Sequence, residues 1–199
     1  MAYSLTQWGY EIDGTLAPLI TVADFDTLTG DAWKNDARVS PAINAASAAI
    51  RNFCGWHVSP SANCRATLDV DGTRSLWLPT RCLTSVISVE ANGIEVTDYQ
   101  WSRIGQVLTA SRVAPGLQAA TVEYTAGLPV TGDLLALVAG VVAHTVAVTP
   151  TSYGVVSESA GGVSLTRAQG AAYAGITATL TDIEKAALAP YRVVRAHAS

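Results

Sequence analysis

The spacing of apolar residues changes character several times along the chain. In Pro41–Cys54, PAINAASAAIRNFC, the residues Ile43, Ala46, Ile50, Phe53 and Cys54 fall at steps of three and four. That is the period of one helix face. Ser47 is the polar member of the stripe, and the other face is alanine and asparagine with Arg51 as its single charge. Ser40 is placed to cap the free N–H groups, Pro41 to take the first helical position, and Gly55 to end the helix with a positive φ. From His57 to Ala126 the pattern turns to short runs: CRATLDV, RSLWLP, TSVISVEANGIEVT, YQWSR, QVLTA and QAATVEYTA. These predict about five or six antiparallel strands. Within them, Asn92-Gly93 sits between Val89 and Ala91 on one side and Ile94 and Val96 on the other. Two residues that tolerate φ > 0 are what a two-residue hairpin turn demands.

Asp133–Val148, DLLALVAGVVAHTVAV, is a second helix with Pro150 just beyond its end. It is apolar nearly all round, which predicts burial on every side. Part of the surface formed by Leu134, Leu137, Val138, Val141 and His144 is therefore expected against a neighbouring subunit. Thr151–Leu180 carries no strong period. Its core, VVSESAGGVSLT, is expected as an extended ribbon able to pair with the edge of another chain. TDIEKAAL opens a third helix through a capping box of Thr181 and Glu184, stopped by Pro190. Residues 1–39 scatter aromatics among Asp, Thr and Gly and read as an arm, with ADFDTLTGD holding one short turn at most.

These elements predict an α+β chain. A small frame of about three helices (residues 40–56 and 127–199, with an extended loop over 150–180) carries an inserted antiparallel β domain, sandwich or barrel-like, over 57–126, and an N-terminal arm over 1–39.

Composition adds one expectation. The chain has 199 residues, of which 49% are apolar and only 14% charged, against about a quarter charged in typical soluble domains. Too little charge to dress a whole monomer points to surface buried by copies of itself. A net charge of −4 argues against a general nucleic-acid-coating role, leaving a local basic patch near Arg192 and Arg195. Three cysteines, Cys54, Cys64 and Cys82, without a CxxC, indicate neither a disulfide framework nor a zinc site; Cys54 is expected in the core. The start MAYSLTQWGYEIDG lacks the basic and apolar regions of a signal peptide. The longest apolar run, Leu134–Ala143, falls short of the roughly 20 residues that span a bilayer. The expectation is a chain made in a host cytoplasm, with no membrane partner.

A search for chemistry yields little. His144 has no acid or cysteine at i±3 or i±4, so it reads as a satisfied interior or interface histidine; no local pattern couples His57 or His197 to a nucleophile. Asp69-Val70-Asp71-Gly72 resembles the opening of a calcium loop, but position 12 is Thr80 rather than the closing Glu, and a hairpin turn is the plain reading. Gly161-Gly162 is followed by no GK[ST]. Glu158 between two serines reads as a polar contact in the ribbon. Trp77 and Trp101 fit either a sugar platform or, by preference, the core. No catalytic residue, cofactor or metal is expected, and the chain is not expected to be an enzyme.

Three segments together carry a resemblance. PAINAASAAIRNFCGWHVSP, YTAGLPVTGDLLALVAGVVAHTVA, and VVSESAGGVSLT followed by LTDIEKAALAPYR resemble, in order and local pattern, the head-to-tail adaptor proteins (head-tail connectors) of tailed phages. The resemblance implies a virion protein of the neck that forms a ring, commonly of about twelve copies, by head-to-tail contact beneath the portal. The ring would extend the DNA channel and receive the stopper or tail. It implies a subunit-interface loop of Tyr153, Val155, Ser157, Glu158, Ser159, Gly161, Gly162, Leu165 and Arg167. It also implies docking on the portal through Ile183, Leu188, Tyr191, Arg192, Val194 and Arg195. The partners implied are copies of itself, the portal protein, a stopper or tail-completion protein, and double-stranded DNA that passes without tight binding. The alternatives are another structural virion component, tail-completion or capsid-associated, or a carbohydrate-binding module.

Overall fold

The structure is a computed structural model that describes residues 2–148, 157–160, 163–166 and 176–193. Among the described residues it is α+β, with four α-helices, antiparallel sheets and no closed barrel. The strands fall where alternation predicts them: β3 (Ala62–Val70), β4 (Ser75–Trp77), β5 (Leu83–Ala91), β6 (Ile94–Glu95), β7 (Tyr99–Trp101), β8 (Gln106–Thr109) and β9 (Gly116–Ala126). Two further strands precede them, β1 (Tyr3–Leu5) and β2 (Glu11–Asp13), and two follow, β10 (Ser157–Ala160) and β11 (Val163–Thr166).

The main sheet has six strands in the order β1-β2-β3-β9-β5-β6, and a smaller sheet runs β4-β8-β7. Alternation along β3 and β9 sends Cys64, Ala66, Val70, Ala120, Val122, Tyr124 and Ala126 inward. It leaves Arg65, Glu123 and Thr125 on the outer face. β5 and β6 meet through Asn92 and Gly93, at φ 52 and 78, the two left-handed residues that the hairpin requires. The DVDG stretch forms a turn in which Asp71 Oδ1 accepts from Thr73 N–H at 3.2 Å. It does not close a hairpin between neighbours, because β4 leaves for the smaller sheet.

Residues 1–39 are not a free arm. β2 pairs with β3, with Ile12 opposite Cys64, and Tyr10, Ile12, Leu19, Ile20 and Phe25 join the common core. On the outer face, Arg65 ties the added strands down: it reaches Glu123 at 2.7 Å and Glu11 at 3.4 Å, and lies over the Tyr3 ring at 4.1 Å. The sheet therefore extends beyond the expected 57–126 insertion, because the edge of β3 is covered by β2.

ADFDTLTGD holds more than a turn. It is α1 (Val22–Thr29), started by a capping box of Thr21 and Asp24 and ended by left-handed Gly30. The helix expected from Pro41 is α2 (Val39–Cys54), and it begins two residues earlier than expected. Ser40 is not its cap. The helix takes Arg38 as its N-cap without a side-chain cap bond; just before it, Asp36 accepts from the Arg38 N–H at 2.9 Å and pairs with the Arg38 guanidinium at 2.6 Å. Those hydrogen bonds hold the Asp36 carboxyl down at about 2. Pro41 is tolerated because the first helical turn needs no intrahelical N–H partner. Gly55, at φ 77, ends the helix as expected.

α3 spans Gly132–Val148 and packs chiefly on α2. α4 (Asp182–Leu188) starts with the expected Thr181–Glu184 capping box and passes into a 3-10 turn, Ala189–Tyr191, at Pro190. Among the described residues no helix is long and apolar enough to cross a membrane.

Candidate assembly site

The helix α3 buries Leu134, Val138, Val141, Val142, Thr145 and Val146 within its own chain. Leu137 and His144 are half-buried, and Ala136, Gly140, Ala147 and Val148 are exposed. One copy thus covers most of this helix but not all of it. His144 does meet an acid, but one that sequence spacing cannot show: Glu184 of α4, with Nδ1 and Oε1 3.8 Å apart.

The predicted ribbon is in part a hairpin. Ser157 pairs with Thr166, Glu158 with Leu165, Ser159 with Ser164 and Ala160 with Val163. This two-stranded sheet joins no other sheet among the described residues. Tyr153, Val155, Gly161, Gly162 and Arg167 lie outside the described residues, as do Val194 and Arg195 of the predicted portal-docking set.

The rest of that set is split by the geometry. Ile183 is 83% exposed. Leu188 is fully buried, because it is the inward residue of a short helix laid against α2 and α3, and so it is no surface contact. Tyr191 is half-buried, its carbonyl accepting from Trp56 Nε1–H at 2.8 Å. Arg192 is exposed, with its guanidinium 5.1 Å from the Phe53 ring centroid.

The tryptophans of the small sheet are not core residues: Trp77 is 57% exposed and Trp101 43%. Nor do they make a platform. Trp77 is opposite Gln106 and Trp101 opposite Val107. Gln106 and Val107 are successive residues of β8, so the two indoles stand on opposite faces of the sheet.

Sequence reasoning missed a buried polar node beneath the end of α2. Arg51, assigned to the outer face, is buried. Its guanidinium donates to the carbonyls of His57 at 2.9 Å, Ser59 at 2.6 Å and Ala17 at 2.6 Å. Burial pulls its pKa down to about 10, which leaves it charged at neutral pH. His57 is fully buried. Its Nε2 lies 2.9 Å from the Ala126 carbonyl, which can only accept, so the proton is on Nε2. Nδ1 then accepts from the Tyr10 hydroxyl at 2.8 Å, and that oxygen accepts from the His57 N–H at 2.9 Å. Burial lowers the His57 pKa to about 4 and raises that of Tyr10.

The backbone at this node is equally constrained. Ser59 N–H donates to His57 O at 2.7 Å, closing a γ-turn with Val58 at φ 63, an adverse conformation for a β-branched residue. Val58 is held there by burial and by Leu128 N–H, which donates to its carbonyl at 2.7 Å. Gly127 lies so close that a Cβ would sit 2.5 Å from Pro60 O. This node locks the N-terminal segment, the end of α2 and the start of the α3 connection together. Its groups are satisfied internally, and burial pushes the Cys54 and Cys64 thiols up to about 12. The arrangement is structural, and it stiffens the body that carries the outer surfaces.

The family model of the head completion proteins (HCP) matches residues 18–185. The chain belongs to this family. No curated protein matches it. Membership makes it a structural component of the phage virion, acting at the head–tail junction. The matched stretch takes in α1, α2, every strand from β3 to β11, α3 and the first turn of α4. The hairpin of β1 and β2 precedes it.

Proposed function

We propose that the chain is a head-to-tail adaptor. Copies close into a ring beneath the portal, extend the DNA channel and receive the stopper or tail. The observation that carries the reading is the family match, which spans the frame of α2, sheet, α3 and α4. Two features support it. One copy leaves part of an apolar helix uncovered, and the hairpin of β10 and β11 pairs only within itself among the described residues. The hairpin is the part offered to a neighbouring subunit, and Ile183 and Arg192 are the described residues offered to the portal. The chain works by assembly rather than catalysis.

The test is to measure the mass of the purified chain with and without portal rings by light scattering, and to locate it on them by cryo-microscopy. The expected result is a closed ring seated on the portal, lost on deleting residues 157–162 while the circular dichroism spectrum is kept. A chain that stays monomeric and ignores the portal, or one that binds DNA tightly and with strong salt dependence, refutes the reading.

A further inference from the structure

The β body is polarised along the length of its strands. At one end, Leu83 of β5 and Ala62 of β3 both pair with Ala126 of β9. Here Leu83 N–H donates to Arg103 O at 2.8 Å and Gly127 N–H to Cys82 O at 3.0 Å. A groove of about 500 Å³ opens at this end, walled by Pro18, Leu19, Pro60, Leu128 and Val130, with Arg103 on its lining. Arg81, in the neighbouring turn, and Trp101, at the end of β7, are both exposed, and residues 17–19, 59–62, 77–84, 101–106 and 125–130 contain no carboxylate.

At the other end, Val70 pairs with Gly116 and Ala91 with Ala120. The stretches 68–74, 89–99 and 109–118 hold five acids, Asp69, Asp71, Glu90, Glu95 and Asp98, against two bases, Arg74 and Arg112. Glu90 stands directly opposite Glu95. Like charges so placed repel and favour a cation from outside, and neither carboxylate has an ion pair among the described residues. Beside them on the same hairpin, Ile94 is 71% exposed.

Seven residue steps separate Leu83 from Glu90, about 20 Å of strand. The hairpin tip therefore cannot reach the groove of its own chain. An apolar plug flanked by carboxylates at one end, and an apolar groove lined by arginine at the other, are complementary ends of one molecule. Contact between such ends is heterologous and propagates until it closes. Arginine is also the cation best suited to pairing with carboxylates at an interface.

We propose that the groove beside Arg103 takes the β5–β6 hairpin tip of a second copy of this chain, with Ile94 in the groove and Glu90 and Glu95 against Arg103 and Arg81. This rests on the ring reading above and names one contact that would build the ring.

The experiment is a charge exchange in the full chain, with R103E, E95R and the double variant compared by analytical ultracentrifugation and on portal rings. All the substituted side chains are exposed, and circular dichroism checks that each variant folds. Each single variant is expected to associate at least about tenfold more weakly, since like charges meet at every joint. The double variant restores assembly. So does an equimolar mixture of the two single variants, because in alternating order every groove meets a tip of opposite charge. A fault within one copy would not be repaired by mixing. Single variants that assemble like the parent, or a double variant and mixture no better than the singles, overturn the contact and leave the ring standing. Unchanged assembly with lost retention of double-stranded DNA in R103E assigns the groove to nucleic acid and also overturns it. No ring from the parent chain, alone or on the portal, overturns both the contact and the ring reading.

Discussion

His57 gives this fold a built-in acid sensitivity. In the folded chain its pKa is lowered to about 4, first by burial, while the unfolded chain titrates near about 6.5. The unfolded state therefore takes up the proton first. The stability contributed by a neutral His57 is complete above about pH 6.5, falls as pH drops, and is fully lost below about pH 4. One pKa unit is about 1.4 kcal/mol, so the whole effect is about 3 kcal/mol, of which about 2 kcal/mol is gone by pH 5. The structural reason is specific. A protonated ring presents a second N–H to the Tyr10 hydroxyl, which already accepts from the His57 backbone, and sets a positive charge near Arg51. Urea unfolding followed by tryptophan fluorescence reads this directly. With a slope of about 2 kcal/mol/M, the midpoint should fall by about 1 M between pH 7 and pH 5. His57→Gln serves as the control: it is less stable throughout, and its midpoint should lose most of that pH dependence, because the carboxylates common to both chains cancel. If parent and variant show parallel midpoints from pH 7 to pH 4, His57 is not buried as a neutral base and the account of the node fails.

Arg51→Met strips three backbone carbonyls of their donor and should cost about 3–5 kcal/mol, a loss of roughly 10 °C in calorimetric Tm. Gly127→Ala places a Cβ 2.5 Å from Pro60 O at φ 141, so a drop of at least about 2 kcal/mol in urea stability is expected; a neutral result would mean the two segments do not approach so closely. Val141→Asp, at a fully buried position of α3, should abolish soluble expression. Ile183→Asp, on the exposed face of α4, should leave Tm within about 1 °C; equal behaviour of the two in a solubility and melting assay would contradict the packing of these helices.

What was legible in the chain was whatever local spacing encodes. Strands β3 to β9 follow period-two alternation, Asn92-Gly93 marks its hairpin, Gly55 ends α2, and Thr181 with Glu184 starts α4. α1 was missed and read as a short turn, because its apolar stripe is reduced to Phe25 and leaves periodicity little to register; the Thr21–Asp24 box was the local signal that could have found it. The other misses share a cause: a partner far away in sequence. β1 and β2 are each three residues long, too short to alternate visibly, and become strands only because β3 has an edge to cover. Leu188 was placed in the portal-docking set by the resemblance alone, and only the packing of α4 on α2 and α3 shows that this residue faces inward.

Arg51 shows how far a composition argument carries. A charged share of 14% was read as a surface too sparsely charged for a monomer. The structure shows that charge is also unevenly spent. Arg51 is inside, Arg65 is held between Glu11 and Glu123, Arg38 is on Asp36, Lys34 is on Asp31 in the turn after α1, and Lys185 is on Asp182 within α4. Arg81 and Arg103, at the groove end, have no acidic partner among the described residues, and Glu90 and Glu95, at the other end, have no basic one. Uniform surface charge keeps copies apart, whereas a few unpaired charges at opposite ends orient one copy against the next. In the proposed ring, low overall charge favours association because the charges left unpaired lie where they can steer it.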